Sequence, residues 1–409
     1  MPHKILTDSH QPASGPILNF PTGNGNKKIA FLLRQNPAGV GGVQRLGTIL
    51  TEGLSRYYDI ERVIWKGPDW GMPLAFPLFY YKSIKTDARL VHCDDAFTCL
   101  IGGKIRTASG KKVVGAVHGL DLILPIPWYQ KSLCFALQKL DKITTISRAT
   151  AEQIKKRGVD PSKIEIIPPA AEMSPLVFKK DDDLYRYWEH KIGLDLRQKK
   201  VLISIGRPVK RKGFDRFISD LFPHLPDDYV YIVAGPAQKT PSWLKSLKPF
   251  LNEKFYYSLL LASGSYSMHD DLVRLSAHPR VYYLNGISGE PRDRLYSVAD
   301  LFIMPNRTVE GDMEGFGLVA LEAAVRGVPV VASGIEGIVD AVFDGENGYC
   351  VPEGDNGAML GIIMALAEDP LKLAALSRKA VEFTQYRFSP ERIFASYRKL
   401  FDTLLSNSE

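Results

Sequence analysis

Two glutamates, Glu314 and Glu322, flank a glycine-bracketed turn, Gly315-Phe316-Gly317, in the stretch EGFGLVALEA. The apolar run from Leu318 predicts a helix that opens at this turn. Unpaired backbone N–H groups at a helix start, with glycines that let a ligand approach the chain, make an anion site. Glu314 stands at the mouth of that site. Glu322 lies about two turns on, roughly 10–12 Å along the axis at ~1.5 Å per residue. One elongated polar ligand with a central phosphate would touch the amides near Gly317 and Leu318 with its middle and the two carboxylates with its ends. A nucleotide-sugar has that shape, its hydroxyls donating to the carboxylates. The plainer alternative is a helix whose acidic first turn is stabilised by its macrodipole.

Other residues with chemical potential stand at the ends of strand-like runs. Arg207 follows VLISIG, and Lys212 comes before Gly213 in RPVKRKG. A forked guanidinium and a compact ammonium are fixed counter-charges for a diphosphate, or else a basic surface loop. His118 ends a strand in VHGLD, where the default is a structural role. Asp121 either hydrogen-bonds an acceptor or caps the next turn. Ser147-Arg148 closes another strand, with Ser147 placed to cap the following helix and Arg148 divided between a ligand and the surface. Gly41-Gly42 follows the first strand-like run and is either a phosphate cradle or a tight connection. Asp181-Asp182-Asp183 is the one formal D-x-D pattern and reads as a solvated charge run rather than a metal site.

These motifs together resemble family 4 glycosyltransferases, retaining enzymes of the GT-B fold. The resemblance is carried by GDMEGFGLVALEAAVRGVPVVAS (Gly311 to Ser333), VLISIGRPVKRKGFD (Val201 to Asp215), YIVAGP (Tyr231 to Pro236), LYSVADLFIMPN (Leu295 to Asn306) and GENGYCVPEGD (Gly345 to Asp355). The N-terminal half matches more thinly, through GGVQR (Gly41 to Arg45), VHGLD (Val117 to Asp121) and ITTISRAT (Ile143 to Thr150). The resemblance implies that His118 lies beside the reacting sugar, that Arg207 and Lys212 bind the diphosphate, and that Glu314 and Glu322 hold the sugar and the ribose. It also implies that Gly41-Gly42 closes over the phosphates from the other domain and that Asn285-Gly286-Ile287 borders the base through backbone groups. No cofactor or metal is implied; the fixed cations and the leaving phosphate serve instead, without a protein nucleophile. Gln44 precedes Arg45 where many relatives carry Glu, and Asp312 is an extra acid before Glu314.

Positioning such groups requires two domains, and a chain of 409 residues is too long for one ordinary core. Hydrophobic content of 45% and charged content of 24% are globular values. Strand-like runs alternate with helical patterns, the sign of a parallel α/β layer. The first series comprises Lys28 to Leu33, Arg62 to Trp65, Arg89 to Cys93, Lys112 to His118, Lys142 to Ser147 and Ile164 to Pro169, with a helix from about Val43 to Tyr57. The second comprises Val201 to Gly206, Tyr229 to Gly235, Val281 to Gly286, Leu301 to Pro305 and Pro329 to Ser333. Expected organisation is therefore α/β: a flexible arm over 1–27, an acceptor-side Rossmann-like domain over 28–170, an interdomain region over 171–198, and a nucleotide-sugar-binding Rossmann-like domain over 199–385. A final helix over 386–409 crosses back to the first domain in the family. Two doubly wound sheets place the ligand at their strand C-terminal ends, in the cleft between them.

Charge is unevenly spread. Residues 1–167 carry 23 Lys and Arg against 13 Asp and Glu, while the whole chain is +7. A basic first half suggests an anionic partner. An anionic membrane leaflet or phosphorylated lipid acceptor fits the resemblance, and solvated lysines are the alternative. No nucleic-acid motif appears. The arm lacks an apolar signal core, and Cys93, Cys99, Cys134 and Cys350 show no zinc spacing and read as thiols of a reducing compartment, with Cys93 and Cys99 able to approach each other. A cytoplasmic protein, peripheral at the inner membrane face, is the expectation. The aromatic, proline-rich segment Trp65 to Tyr81 serves either a folded core or an acceptor-facing, interfacial surface.

The leading expectation is metal-independent, retaining transfer of a hexosyl unit from a nucleotide-diphosphate sugar to a lipid-linked or saccharide acceptor. A nucleotide-sugar epimerase or phosphorylase on the same fold is the second enzyme reading. A non-catalytic nucleotide-sugar-binding protein is the third.

Overall fold

The computed structural model describes residues 27–34, 42–67, 72–124, 126–235, 242–253, 255–256, 260 and 268–406. Near-continuous apolar runs such as KIAFLLR and YVYIVAG can be buried on both faces, which is what a parallel sheet flanked by helices demands. They form β1 (Lys28–Arg34) and β8 (Tyr229–Gly235). Among the described residues there are two six-stranded sheets, ordered β2-β1-β3-β4-β5-β6 and β12-β11-β10-β7-β8-β9. The first contains β2 (Asp59–Trp65), β3 (Leu90–Cys93), β4 (Lys112–Val117), β5 (Lys142–Thr145) and β6 (Ile164–Ile166). The second contains β7 (Lys200–Ile205), β9 (Val281–Asn285), β10 (Leu301–Met304), β11 (Val330–Ser333) and β12 (Gly348–Val351). All pairings within them are parallel.

Strand alternation distributes each sheet between two cores. Ala30 and Leu32 of β1 join one cluster, while Ile29, Phe31 and Leu33 join another on the opposite face. Val230, Ile232 and Ala234 of β8 likewise separate from Tyr229, Tyr231 and Val233. The helices differ from the sequence expectation mainly at their ends. The first, α1, spans Gly42–Leu54 rather than reaching Tyr57. β5 stops at Thr145 because Ser147 turns to cap the next helix, its side chain accepting from the Thr150 N–H at 3.1 Å.

The segment over 171–198 is only partly a connection. Asp181 caps the helix α2 (Asp182–Ile192), and Leu184, Trp188 and Leu196 are buried in a cluster of the second sheet. Asp182 and Asp183 pair with Arg197 and Arg186, so the acidic run is spent on capping and surface ion pairs. The last helix, α3 (Pro390–Ser406), buries Phe394, Tyr397, Leu400, Phe401 and Leu404 against Ile29, Phe31 and Leu33 of the first sheet. Each large apolar side chain so buried is worth about 1.5–3 kcal/mol. The chain thus passes between the domains twice, and the crossings are tied by the Ala171 N–H donating to the Phe388 carbonyl at 2.8 Å.

The aromatic segment is only partly core. Ala75 and Phe79 are buried, whereas Leu74, Tyr80 and Tyr81 of the same helix, Met72–Lys85, face solvent. Cys93 and Cys99 are buried, adjacent and free; Cys134 and Cys350 are half-buried and also free. Among the described residues no helix is long and apolar enough to cross a membrane.

Candidate active site

The carboxyl ends of β7 and β10 deliver the charged residues. After β10 the chain runs through a long loop to the helix α4, which spans Leu318–Ala324 and is capped by Gly317 at φ 90°. That left-handed backbone bars helix before Leu318. Glu322 is therefore just over one turn into the helix, not two. The loop carries Asn306, Asp312 and Glu314, all buried.

Glu314 sits in a dense charge network. Its Oε2 lies 2.6 Å from Lys212 Nζ and 3.7 Å from the Arg211 guanidinium, and it accepts from Asn306 Nδ2 at 3.1 Å. Arg211 is steered by Asp312 at 3.2 Å and by its bond to the Met313 carbonyl at 3.1 Å. Burial on its own would raise the Glu314 carboxyl. Arg211 and Lys212, with the bonds from Lys212 and Asn306, outweigh it and hold the group down at about 2. Glu314 is thus an ionised acceptor. Burial draws the Lys212 ammonium below its usual range, and Glu314 opposes the shift.

Arg207 is different. It is close enough to feel Arg211, Asp312 and Glu314, and burial first, then the like charge of Arg211, disfavour its guanidinium. Among the described residues no carboxylate lies within ion-pair distance of it. Arg207 is half-buried, and a partly desolvated cation with no carboxylate at ion-pair distance is stabilised by an anionic ligand.

The first domain meets this network through His118. A Cβ on Gly315 would stand 2.0 Å from the His118 carbonyl oxygen, so only glycine permits this approach of the two domains. The His118 ring Nε2 lies 2.7 Å from the Asp94 carbonyl, which can only accept. Nε2 therefore carries a proton, and Nδ1 has no hydrogen-bond partner among the described groups. Asp121 holds the loop around His118. Its carboxylate accepts from the backbone N–H groups of Ala96, His118 and Gly119 at 3.1, 3.3 and 2.9 Å. Of the two roles open to Asp121, this geometry fills the capping one.

The remaining expected residues are dispersed around this centre. Glu322 lies 3.6 Å from Arg292 and accepts from the Tyr296 hydroxyl at 3.3 Å. Phe316 is buried edge-on to Phe388, at 5.8 Å between centroids, and locks the turn from behind. Ile287 packs against the core just beyond β9. Arg148 is committed across the domain boundary: its Nε and backbone N–H both reach the Asp340 carboxylate, at 2.5 and 2.7 Å. Gly42 opens α1, and Gly41 lies outside the described residues.

Sequence reasoning missed Arg211, Asn306 and Glu336. The first two were visible only as members of RPVKRKG and LFIMPN. Glu336 is the one described non-glycine residue with a left-handed backbone, at φ 49°, a strain of order 1–3 kcal/mol. The signal was an acid beside a glycine, in SGIEGIVD, directly after β11. Its Oε2 accepts from the Glu314 N–H at 2.5 Å. Burial, opposed by that bond and reinforced by the Glu314 charge, pushes its carboxyl up to about 7.

This shift has a stability consequence. An unfolded glutamate ionises near about 4.3, so the folded state favours the protonated form. The contribution is fully present below that value and is lost as pH rises through about 7. The Tm of the native chain minus that of Glu336→Gln should therefore fall between about pH 5 and pH 8 in calorimetry. A difference that does not vary with pH would mean that Glu336 is ionised throughout.

A family model described as "Glycosyl transferases group 1" matches residues 188–383, and one described as "Glycosyltransferase Family 4" matches residues 48–174. Together they span more than three quarters of the chain. All the expected site residues lie within them except Gly41 and Gly42. Similar chains include the GDP-mannose-dependent alpha-(1-6)-phosphatidylinositol monomannoside mannosyltransferase of Mycolicibacterium smegmatis. It is 28% identical over 285 residues, covering 68% of this chain and 66% of that protein. A D-inositol 3-phosphate glycosyltransferase of Mycolicibacterium vanbaalenii is 30% identical over 248 residues, covering 59% and 48%. The matched regions thus span from about half to just under two thirds of these relatives' length. Among solved structures, Anabaena HepE in complex with UDP superimposes with a TM-score of 0.68 at 19% identity, covering 92% of this chain and all of the other. Sucrose-phosphate synthase from Thermosynechococcus elongatus gives 0.69 at 16%, covering 93% of this chain and all of the other. At such identities the likeness concerns the fold, two doubly wound α/β domains of the GT-B type.

Proposed function

The chain belongs to the group 1, family 4 glycosyltransferases, and from that premise we propose that it moves a hexosyl unit from a nucleotide-diphosphate sugar to a hydroxyl of a lipid-linked or saccharide acceptor. The transfer retains anomeric configuration and uses no metal ion. The observation that carries this reading is the set of three cations, Arg207, Arg211 and Lys212, gathered at one strand end against Glu314, with the His118 loop of the other domain in contact at Gly315.

In this reading Arg207 and Lys212 bind the diphosphate, and Arg211 holds Glu314 and Asp312 in place. Glu314 accepts from a hydroxyl of the donor sugar, which fixes the anomeric carbon against the His118 loop. Glu322 accepts from the ribose. The bond between the anomeric carbon and the diphosphate oxygen breaks as the acceptor oxygen attacks from the same face. The leaving phosphate oxygen takes the acceptor proton. Negative charge grows on the diphosphate during this step, where preorganised cations stabilise it most.

The hexosyl assignment draws on the relatives' names, of which the Mycolicibacterium smegmatis one specifies GDP-mannose and a phosphatidylinositol mannoside. The lipid-linked alternative also draws on the excess positive charge of residues 1–167, which suits a cytoplasmic protein peripheral at an anionic leaflet.

The test is incubation with UDP-, GDP- and ADP-hexoses and a hydroxyl acceptor in EDTA, followed by NMR of the product. The expected result is transfer undiminished by the chelator, with the donor's anomeric configuration kept. An inverted product would reject the front-face route. Activity lost in EDTA and restored by Mg²⁺ or Mn²⁺ would reject the role given to the fixed cations.

A further inference from the structure

A cavity of about 550 Å³ opens between the domains, against the backbone of the Glu314 network. Its size is within the range of about 300–1,000 Å³ usual for small-molecule sites. One wall comes from the first domain, with Ile123 and Leu124 at the end of the short helix after His118, Glu152 of the helix that Ser147 caps, and Arg157 of the turn that follows it. The facing wall is Met313 and Glu336 of the second domain. The site joins an apolar surface to a few polar groups, and both domains must be present to form it.

The polar groups of this cavity select a particular chemistry. Arg157 has little left to offer a ligand. Its Nε and one terminal nitrogen donate to Gln130 Oε1 at 3.1 and 2.9 Å, that same terminal nitrogen to the Leu122 carbonyl, and the other to the Gln153 carbonyl at 2.6 Å. Its fork braces the walls. Glu336 is the opposite case. Its Oε2 takes the Glu314 N–H, and its Oε1 accepts nothing from the described residues. Among its charged groups the lining therefore presents an open acceptor, Glu336, and a spent cationic donor, Arg157, with the Gln153 side-chain amide as its one neutral donor not bonded to another described residue. Such a surface complements hydroxyl groups that donate and offers little to a phosphate, which needs donors. The apolar side chains suit the C–H face of a sugar ring.

The backbone at Glu336 supplies a separate reason. A carboxylate is kept at a left-handed position that glycine would occupy without strain, and strain of this kind gathers at functional sites. We propose that this interdomain cavity is an acceptor subsite for a neutral, hydroxyl-bearing sugar unit, and that Glu336 is its specificity-determining residue, accepting from an acceptor hydroxyl while its other oxygen holds the Glu314 loop. The proposal rests on the transferase reading for the word acceptor, and on the cavity alone for the binding of a neutral sugar.

The test uses the full chain with labelled methionine methyl groups, titrated with methyl α-mannoside and, separately, with mannose 6-phosphate. The Met313 resonance should shift with the neutral sugar, and the phosphorylated one should bind more weakly. Glu336→Gly should keep or raise Tm, because glycine tolerates this φ, and should weaken methyl α-mannoside by up to about tenfold, as expected for loss of one hydrogen bond. Ala149→Phe fills the cavity from the first domain and should abolish the Met313 shift while calorimetric nucleotide affinity is unchanged. An unmoved Met313 resonance, equal binding of the two sugars, or unchanged affinity in Glu336→Gly would each overturn the proposal. If the sugar binds at Met313 but no nucleotide-sugar is turned over, the subsite stands and the transferase reading falls. Turnover with a silent Met313 gives the reverse.

Discussion

Lys212→Ala is expected to lower kcat by about 10²–10³-fold, the range that follows removal of one preorganised charge-stabilising donor. Its ammonium is buried, 2.6 Å from Glu314, and beside the strand end that also carries Arg207. The charge on the diphosphate is greater in the transition state than in the bound donor, so the loss should fall on kcat more than on donor KM. Glu314 keeps Arg211 and Asn306 in the variant, which limits the damage to its ionised state. A variant that changes KM alone would show that Lys212 grips the nucleotide without assisting its departure. Arg207→Ala should behave in the same way. It should also be the less destabilising of the two, since Arg207 satisfies no described carboxylate in the free protein.

Gly315→Ala is the second large effect, and it acts through geometry alone. The added methyl would lie 2.0 Å from the His118 carbonyl oxygen and 3.3 Å from Ile146 Cδ1. Both neighbours belong to the opposite domain. The domains can relieve the overlap by separating, so each should remain folded, with Tm little changed. The reacting groups would then be misplaced by about 1 Å, enough to cost about 10²-fold in kcat/KM. Retained activity would mean that the reacting state does not need this approach of the two domains.

Local physics was enough for eleven of the twelve described strands; the short edge strand β12, Gly348–Val351, was read only as part of the motif GENGYCVPEGD. Runs such as KIAFLLR and YVYIVAG have no solvent-facing stripe, and only a sheet covered on both faces can hold them. Ser147 after a strand, and Gly317 before an apolar run, mark helix starts through backbone chemistry confined to a few residues. The order of the motifs was likewise legible, and with it the two-domain α/β architecture. Where a boundary was misplaced, as for the helix taken to hold Glu322 two turns in, the left-handed backbone of Gly317 decided the matter.

The composition of the site was not legible in the same way. Arg211 reaches the Met313 carbonyl across 102 residues of chain, and Arg148 reaches Asp340 across 192. Nothing in RPVKRKG distinguishes the buried Arg211 from the exposed Lys210, since burial depends on which loop folds over them. Asp121 reads equally well as a ligand or a cap until the amides of Ala96 and Gly119 are seen to converge on it. Glu336 was silent because its significance lies in a backbone angle and in a carboxyl raised by burial against a second domain element. The sequence by itself determined most of the secondary structure, the two-domain α/β architecture and the residue types available to an anionic sugar donor, because those follow from periodicity and local hydrogen bonding. The tertiary structure alone decided which charges are paired, which cation is left for a ligand, and which glycine lets the domains touch, because electrostatics and close packing act between groups that the chain brings together only when it folds.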